Sequence, residues 1–211
     1  MATVTSPPER LVTLYGISWE TYERIITEHG ERGGTRFTFD NGRLEIMVLS
    51  SRHERPNRTL ALLVEVLAEE MEIDIERLGS TTFKREDLQK GFEPDSCFYI
   101  QNAESVRGKD EIDLASDPPP DLIIEIDITS ESLNRFPIFA AVGVMEVWRF
   151  DRNAVTFFQL EDGEYRETPN SLAFPSLISE IATRFLAESL TMRSTAWLRR
   201  VREWARSQMA N

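Results

Sequence analysis

Three carboxylates interrupt an apolar run near the middle of the chain. Asp121, Glu125 and Asp127 lie within DLIIEIDI, whose other side chains are all leucine or isoleucine. Such a run is typical of a buried strand, where a carboxylate needs a counter-charge, a proton or a metal ion. Side chains alternate along a strand, so the three acids share one face. Glu125 and Asp127 are then about 6.6 Å apart and able to flank one metal ion, whereas Asp121 lies about 13 Å from Glu125.

A further ligand must come from another segment, and Asp95 is the best candidate. It follows Pro94 at the head of a second strand-like run, as Asp121 follows Pro120. Carboxylate oxygens suit Mg²⁺ or Mn²⁺, which lower the pKa of bound water and neutralise charge developing on a phosphate. We therefore predict a metal site of Asp95, Glu125 and Asp127. Clustered carboxylates repel without a metal, so one of them should have a raised pKa.

The elements that position these acids are predicted from local patterns. Ser18 is a suitable N-cap for a helix that runs to His29 and ends at Gly30. Asn41-Gly42 predicts a type I′ turn between two strands. The spacing of apolar residues predicts a helix over 52–71. The remaining predicted elements are two short strands within 73–84, a strand over 93–100, a polar loop over 101–117, a strand over 121–128, a helix near 134–142, strands over 145–151 and 154–167, and helices over 175–190 and 194–208.

This order predicts an α/β (α+β) fold with a central mixed sheet flanked by helices, an N-terminal helix-hairpin and C-terminal helices. We expect a flexible N-terminus over 1–14, one domain over 15–190 and an Arg-rich amphipathic helix over 191–211. That last helix is either part of the same domain or a dimer-packing appendage. Its apolar stripe (Trp197, Leu198, Val201, Trp204) predicts packing in a dimer interface or on the N-terminal helix.

Composition restricts the classes of function. The net charge of −12 disfavours nonspecific binding to phosphate backbones, so a nucleic-acid partner would require a local basic patch or bound metal ions. Cys97 is the single cysteine and is expected to be a buried thiol, without a disulfide. No apolar leader and no run long enough to span a membrane is present. We therefore expect a cytoplasmic protein with no membrane partner.

Several motifs together resemble one bacterial family. They are the hairpin GRLEIM, RHER at the start of a helix, GSTTFKREDLQKGFEPDSCFYIQN, DPPPDLIIEIDITSESL and GVMEVWRFD. Over about residues 15–190 the chain resembles the Uma-type restriction endonucleases, a family within the PD-(D/E)xK nuclease superfamily. The resemblance implies a restriction-endonuclease-like αβββαβ core and Mg²⁺-dependent hydrolysis of phosphodiester bonds in nucleic acid, with DNA as the expected substrate.

The resemblance also implies roles for individual residues. Asp95 matches the acid of the PD motif and Glu125 matches the (D/E) position. The Lys of that pattern would fall at Asp127, and the resembling family carries its basic residue ten positions beyond the Glu, where this chain has Arg135. Arginine stays protonated and cannot act as a general base, but it can orient water or stabilise charge in the transition state.

Two more residues are candidates for the same site. Glu45 alternates with Leu44 and Ile46, so its side chain can face the acidic cluster, and His53 can ligate a metal or accept a proton. We expect a homodimer, since two sites related by a two-fold axis serve the cutting of two strands. Two alternatives stay open: a catalytically weak or inactive nuclease fold that binds nucleic acid or protein, and an interaction module with structural carboxylates.

Overall fold

Two β-sheets and six helices form the part of the chain that this computed structural model describes, residues 10–30, 34–128 and 134–209. The mixed α/β class agrees with the predicted order of elements. None of the helices in those residues is both long enough and apolar enough to cross a lipid bilayer.

The helix boundaries follow the predicted local signals. Ser18 caps the first helix, and Ser50 caps the second by accepting a hydrogen bond from the His53 amide. Gly143 ends the fourth helix with a left-handed φ of 88°. A short helix lies within the predicted polar loop over 101–117, where it was not expected. The helices are α1 (Trp19–His29), α2 (Ser51–Glu70), α3 (Ala103–Val106), α4 (Phe136–Val142), α5 (Ser179–Ser189) and α6 (Ser194–Met209).

The strands divide between two sheets, one of five strands and one of six. The strands are β1 (Arg10–Tyr15), β2 (Thr35–Asp40), β3 (Arg43–Val48), β4 (Glu76–Arg77), β5 (Phe83–Arg85), β6 (Lys90–Phe92), β7 (Ser96–Tyr99), β8 (Leu122–Ile126), β9 (Glu146–Phe150), β10 (Val155–Glu161) and β11 (Glu164–Thr168). The first sheet is antiparallel in the order β1-β3-β2-β6-β5. At its β2–β3 turn, Asn41 and Gly42 both have positive φ, which confirms the predicted type I′ turn.

The second sheet is the predicted mixed sheet. Its order is β11-β10-β9-β8-β7-β4, with β8 and β9 parallel and the other neighbours antiparallel. The strand predicted over 154–167 is in fact the hairpin β10–β11, whose turn residues Asp162 and Gly163 both have positive φ. The β8–β9 connection contains α4, so this part is a βαβ unit.

The two faces of β8 pack against different sets of helices. Leu122, Ile124 and Ile126 contribute to a core with α2, α5 and α6. Ile123 belongs to a second core with Ile138 and other residues around α4. The predicted alternation along the strand is therefore confirmed, and the acid-bearing face of β8 is the face that meets α4.

The prediction for the stripe on α6 was wrong. Trp197 and Val201 are buried in the core that α6 forms with α2 and α5, and the indole Nε1 of Trp197 donates to the Phe185 carbonyl at 2.7 Å. Neither a second chain nor α1 is needed to cover them, because α2 and α5 present apolar side chains to this face. Arg202 and Arg206 add ion pairs to Glu70 on α2.

The N-terminal segment contains an unpredicted strand. Residues 10–15 form β1, which pairs with β3 along its whole length, from Arg10 opposite Val48 to Tyr15 opposite Arg43. The segment predicted as flexible over 1–14 therefore includes most of a strand, and residues 1–9 lie outside the described residues. Cys97, on β7 of the second sheet, is a buried thiol as expected.

Candidate active site

The pairing of β7 with β8 brings Asp95 and Glu125 together. Ser96 lies opposite Ile124 in this antiparallel pair, and continuing the register by one residue places Asp95 opposite Glu125. Asp95 Oδ2 accepts a hydrogen bond of 2.8 Å from the Ile126 amide, the residue after Glu125. Both carboxylates are buried. The two acids that the sequence placed at the PD and (D/E) positions thus occupy neighbouring strands.

Arg135 lies at the start of α4 and reaches back to this pair. Its Nη1 donates to Glu125 Oε2 at 2.8 Å, and both side chains are almost completely buried. The helix packs on the acid-bearing face of β8, so Arg135, the N-cap residue just before α4, can reach the strand. Arg135 is therefore the principal positive charge at Glu125.

His53 contacts Asp95 from helix α2. It lies in the first turn of α2, is buried, and places Nε2 at 3.2 Å from Asp95 Oδ2. One turn further, Asn57 donates to the backbone oxygen of Asp95 at 3.1 Å and accepts from Ser96 Oγ at 2.9 Å. Asn57 was not predicted as a site residue. Its signal in the sequence is its position four residues after His53 on the buried face of the helix.

The first sheet contributes Glu45 and Arg36. Glu45 on β3 is buried, accepts from Arg43 Nη2 at 2.6 Å, and has a charge that acts on Arg135. Arg36 on β2 was not predicted, and its Nε lies 3.9 Å from Asp95 Oδ1. That separation permits electrostatic attraction and is too long for a hydrogen bond. Five of the predicted residues (Asp95, Glu125, Arg135, Glu45, His53) thus belong to one electrostatic cluster.

The cluster shifts the pKa values of its members in opposite directions. Burial raises the pKa of Glu125 to about 7, because Arg135 and His53 only partly offset the desolvation and the Asp95 charge. Burial alone would raise the pKa of Asp95 too, but the His53 hydrogen bond, the His53 and Arg135 charges and the Ile126 amide together lower it. Burial disfavours the Arg135 cation, yet Glu125 and Asp95 raise its pKa. The expected raised pKa within the acidic cluster is found at Glu125.

Asp95 and Glu125 differ from the structural acids of the same sheet in their hydrogen bonding. Asp121 accepts from the amides of Ile100 and Asn102 and from the Asn102 side chain. Glu146 likewise has both oxygens bound, by the Trp148 indole and two loop amides. By contrast, Asp95 Oδ1 and Glu125 Oε1 are buried and accept no hydrogen bond from any described residue. A bare buried carboxylate oxygen is costly, and a metal ion is one partner that would satisfy it.

Asp127 stands apart from this pair. It is half-buried, its amide donates to the Phe150 carbonyl, and burial raises its pKa against the opposing charges of Arg149 and Arg135. Across the described ranges, no three His, Cys, Asp or Glu side chains converge as a metal-binding group. The three-carboxylate site is therefore not assembled, and a ligand role for Asp127 stays a prediction. Asp95 and Glu125 alone still fit Mg²⁺, which proteins commonly hold through one or two carboxylates plus substrate phosphate.

The fold defines the class of protein. A solved structure described as a putative nuclease belonging to DUF820, from Anabaena variabilis, matches with a TM-score of 0.51 and 14% identity over 71% of this chain and 90% of that one. At that identity the match shows the fold, which is restriction-endonuclease-like. No curated protein matches the chain significantly.

The family follows from the sequence model. Residues 19–192 match the Uma2 family, described as putative restriction endonucleases, and this range covers most of the chain. The chain belongs to the Uma2 family. The match includes Asp95, Glu125 and Arg135, along with Glu45 and His53 on the flanking elements.

Proposed function

We propose that the chain is a metal-dependent endonuclease that hydrolyses phosphodiester bonds of DNA in the cytoplasm. The observation that carries the proposal is the pair of buried, bare oxygens of Asp95 and Glu125 on neighbouring strands. The family description as restriction endonucleases favours DNA. A homodimer is part of the proposal, because β1 leaves exposed apolar side chains at a sheet edge that a second copy would cover.

Asp95 and Glu125 would hold Mg²⁺ or Mn²⁺ through those oxygens. Bound there, the ion would lower the pKa of a water and neutralise charge on the phosphate. The protein's contribution is to keep Asp95 ionised, which the Ile126 amide and His53 do by favouring the charged form. His53 is therefore assigned as a positioning residue for Asp95, and Glu45 as a charge that helps to hold Arg135 in the site.

Arg135 binds the carboxylate of Glu125, which is also a proposed ligand of the metal ion. Its guanidinium neutralises Glu125 in the described state, and release from that carboxylate would leave its N–H donors available to phosphate oxygens. Because arginine does not lose its proton, its role in the proposal is to bind and stabilise negative charge.

The test is cleavage of DNA by the purified chain with Mg²⁺ or Mn²⁺ and with a chelator. Glu125→Gln and Asp95→Asn are expected to lower the rate at least about 100-fold, since each removes a metal ligand. Calorimetry with Mn²⁺ should show the loss of binding independently of activity. Glu164→Gln, an exposed acid on β11, is the matched control and should behave as wild type. Undiminished cleavage and Mn²⁺ binding in both site variants would refute the proposal.

The second candidate is a nuclease fold that binds nucleic acid without cutting it. The Arg135–Glu125 contact favours it, because a fixed guanidinium blocks a metal ligand. Arg135→Lys, which introduces the residue of the resembling family, distinguishes the two. A nuclease should keep or gain cleavage with this variant, whereas a binding protein should show DNA binding and no cleavage with either residue.

A further inference from the structure

A cavity of about 410 Å³ lies outside the residues of the candidate active site. It is bounded by the first turns of α2, the chain leaving β8, the end of β9 and the end of α5. Arg52, Arg55 and Arg152 line one part of it, and none of the described residues that line it is acidic. The volume lies within the range of pockets that bind small molecules.

The three arginines lack the carboxylate partners that most cations of this chain have. Among the described residues, none of the three forms an ion pair, whereas Arg58 on the same helix bonds Glu54 at 2.6 Å. Arg152 donates to the backbone oxygen of Ile128, which fixes its guanidinium at the cavity wall. In a chain with a net charge of −12, a cavity whose described lining carries three guanidinium groups and no carboxylate attracts an anion.

Apart from Ser51 and Thr59, the rest of the cavity wall is apolar, which favours an anion that also has an apolar part. Ile128 and Leu186 are buried, Phe150 is half-buried, and Leu190 is 64% exposed at the rim. An inorganic anion would leave this wall unused. A nucleotide fits both parts, because its phosphate matches the arginines and its base has a flat apolar face that packs on aromatic and aliphatic side chains.

The cavity is also close to the candidate active site along the chain. Arg52 directly precedes His53, which contacts Asp95. Ile128 lies three residues beyond Glu125, a distance of about 10 Å in extended chain. Ile128 lies on the face of β8 opposite to Glu125, so a strand held at the acidic cluster would pass the end of β8 to place a neighbouring nucleotide in the cavity.

We propose that this cavity is a subsite for one unpaired nucleotide of the strand, with its phosphate on Arg52, Arg55 and Arg152 and its base on the apolar wall. The identity of the strand as substrate rests on the proposed function, but binding in the cavity does not require cleavage. A duplex must extrude a base to fill the subsite, which costs a few kcal/mol, whereas a single strand need not. The chain should therefore prefer single-stranded over double-stranded DNA.

The experiment measures binding of the full chain, with chelator, to a labelled single-stranded oligodeoxynucleotide of about 12 nucleotides by fluorescence anisotropy. The same sequence as a duplex and as an abasic strand are the comparison probes. The double variant Arg52→Ala/Arg55→Ala should weaken single-strand binding at least about tenfold and reduce its salt dependence. Arg193→Ala/Arg199→Ala removes two exposed arginines on or beside α6 that also lack a carboxylate partner among the described residues, and should have little effect. Leu190→Gln should weaken binding of the ordinary strand and leave the abasic strand unchanged.

The outcomes separate this subsite from the proposed function. The subsite would be overturned if both double-arginine variants lost the same affinity for the single strand, or if ordinary and abasic strands bound equally well. That conclusion would hold even if the wild-type chain cleaves DNA and the Glu125→Gln variant does not cleave it. Selective loss in the Arg52/Arg55 variant would support the subsite even if no cleavage is found with Mg²⁺ or Mn²⁺.

Discussion

At the residue scale, the buried acids of the second sheet divide by where their hydrogen bonds come from. Backbone amides satisfy Asp121 and Glu146, so these two carboxylates stabilise loops that cross the ends of strands. Asp95 instead accepts from one amide, that of Ile126, and contacts the His53 side chain, while Glu125 is bound by the Arg135 side chain. Each of these two acids keeps one oxygen without a hydrogen bond from a described residue, and that oxygen can take a metal ion or substrate as its partner.

The raised pKa of Glu125 predicts a pH dependence of stability in the metal-free protein. Its pKa of about 7 in the folded chain compares with 4.5 as the reference value, so between these pH values the unfolded chain releases a proton that the folded chain keeps. Stability should therefore fall as pH rises from about 4.5 to 7, by up to about 3 kcal/mol, and then level off. The neighbouring charges are Arg135, Asp95 and His53.

Thermal melts in chelator across this pH range check the prediction. Glu125→Gln cannot titrate and should lose this part of the slope, while Glu164→Gln should keep it. Superimposable pH profiles for wild type and Glu125→Gln would mean that Arg135 holds Glu125 ionised throughout.

The acids of the site could be found from the sequence, but several of their partners could not. Strand alternation and the Pro-Asp pair identify Asp95 and Glu125, because those signals are local. Arg36 and Asn57 reach Asp95 only after β2 and α2 pack against the second sheet, and no local pattern encodes that contact. The bare oxygens likewise depend on distant segments that satisfy Asp121 and leave Glu125 without a second donor.

At the element scale, the hairpin at Asn41-Gly42 and the two short strands within 73–84 were predicted, whereas β1, β6 and the division between β10 and β11 were not. Asn41-Gly42 correctly predicted the turn of the β2–β3 hairpin. Asp162-Gly163 forms the turn between β10 and β11 with positive φ at both residues, but it lies inside a run that was interpreted as one strand. The strand β6 has only three residues with a glycine at its centre, a residue that usually weakens strand propensity. Its place in the sheet comes from pairing with β2 and β5, which are distant in sequence or only just precede it.

Gly91 in β6 is required by the close approach of α1. A Cβ at this position would lie 2.2 Å from Tyr22 Oη and 2.6 Å from Tyr22 Cζ, and Tyr22 is completely buried against Phe39. Gly91→Ala should therefore destabilise the protein by about 1–3 kcal/mol, measured as the free energy of unfolding in urea.

The double variant Gly91→Ala/Tyr22→Phe provides the control, because it removes the nearest clashing atom. It should recover part of the stability that Gly91→Ala loses, relative to Tyr22→Phe alone. If the stability loss of the double variant equals the sum of the losses in Gly91→Ala and Tyr22→Phe, the contact between Tyr22 and β6 does not constrain residue 91.

At the scale of the whole molecule, charge is distributed unevenly over an acidic chain. Arg202 and Arg206 on α6 are neutralised by glutamates of α2, which leaves the Arg-rich helix as a structural element. The arginines around the cavity are not neutralised in this way. The basic surface that a nucleic-acid partner of such a chain requires is thus better provided by the arginines of this cavity than by the paired arginines of the C-terminal helix.

Assembly with a second copy of the chain can use β1, an edge strand of the first sheet. Within the described residues β1 pairs only with β3, and its side chains Val12 and Tyr15 are 50% and 73% exposed. An apolar edge strand with free backbone groups is a surface for pairing with another chain, and a two-fold axis would let two β1 strands pair antiparallel. We expect a homodimer through β1.

Light scattering during size-exclusion chromatography measures the mass of the assembly. Val12→Lys should convert the dimer to a monomer, because it places a charge beside its own symmetry mate at the edge. Leu172→Lys changes a comparably exposed apolar residue outside the strands and should leave the dimer intact. A wild-type monomer at micromolar concentration, or a dimer that survives Val12→Lys, would exclude β1 as the interface. The two proposed metal ligands of each copy, Asp95 and Glu125, lie on or beside strands of the other sheet, so monomeric Val12→Lys should retain Mn²⁺ binding at the wild-type affinity.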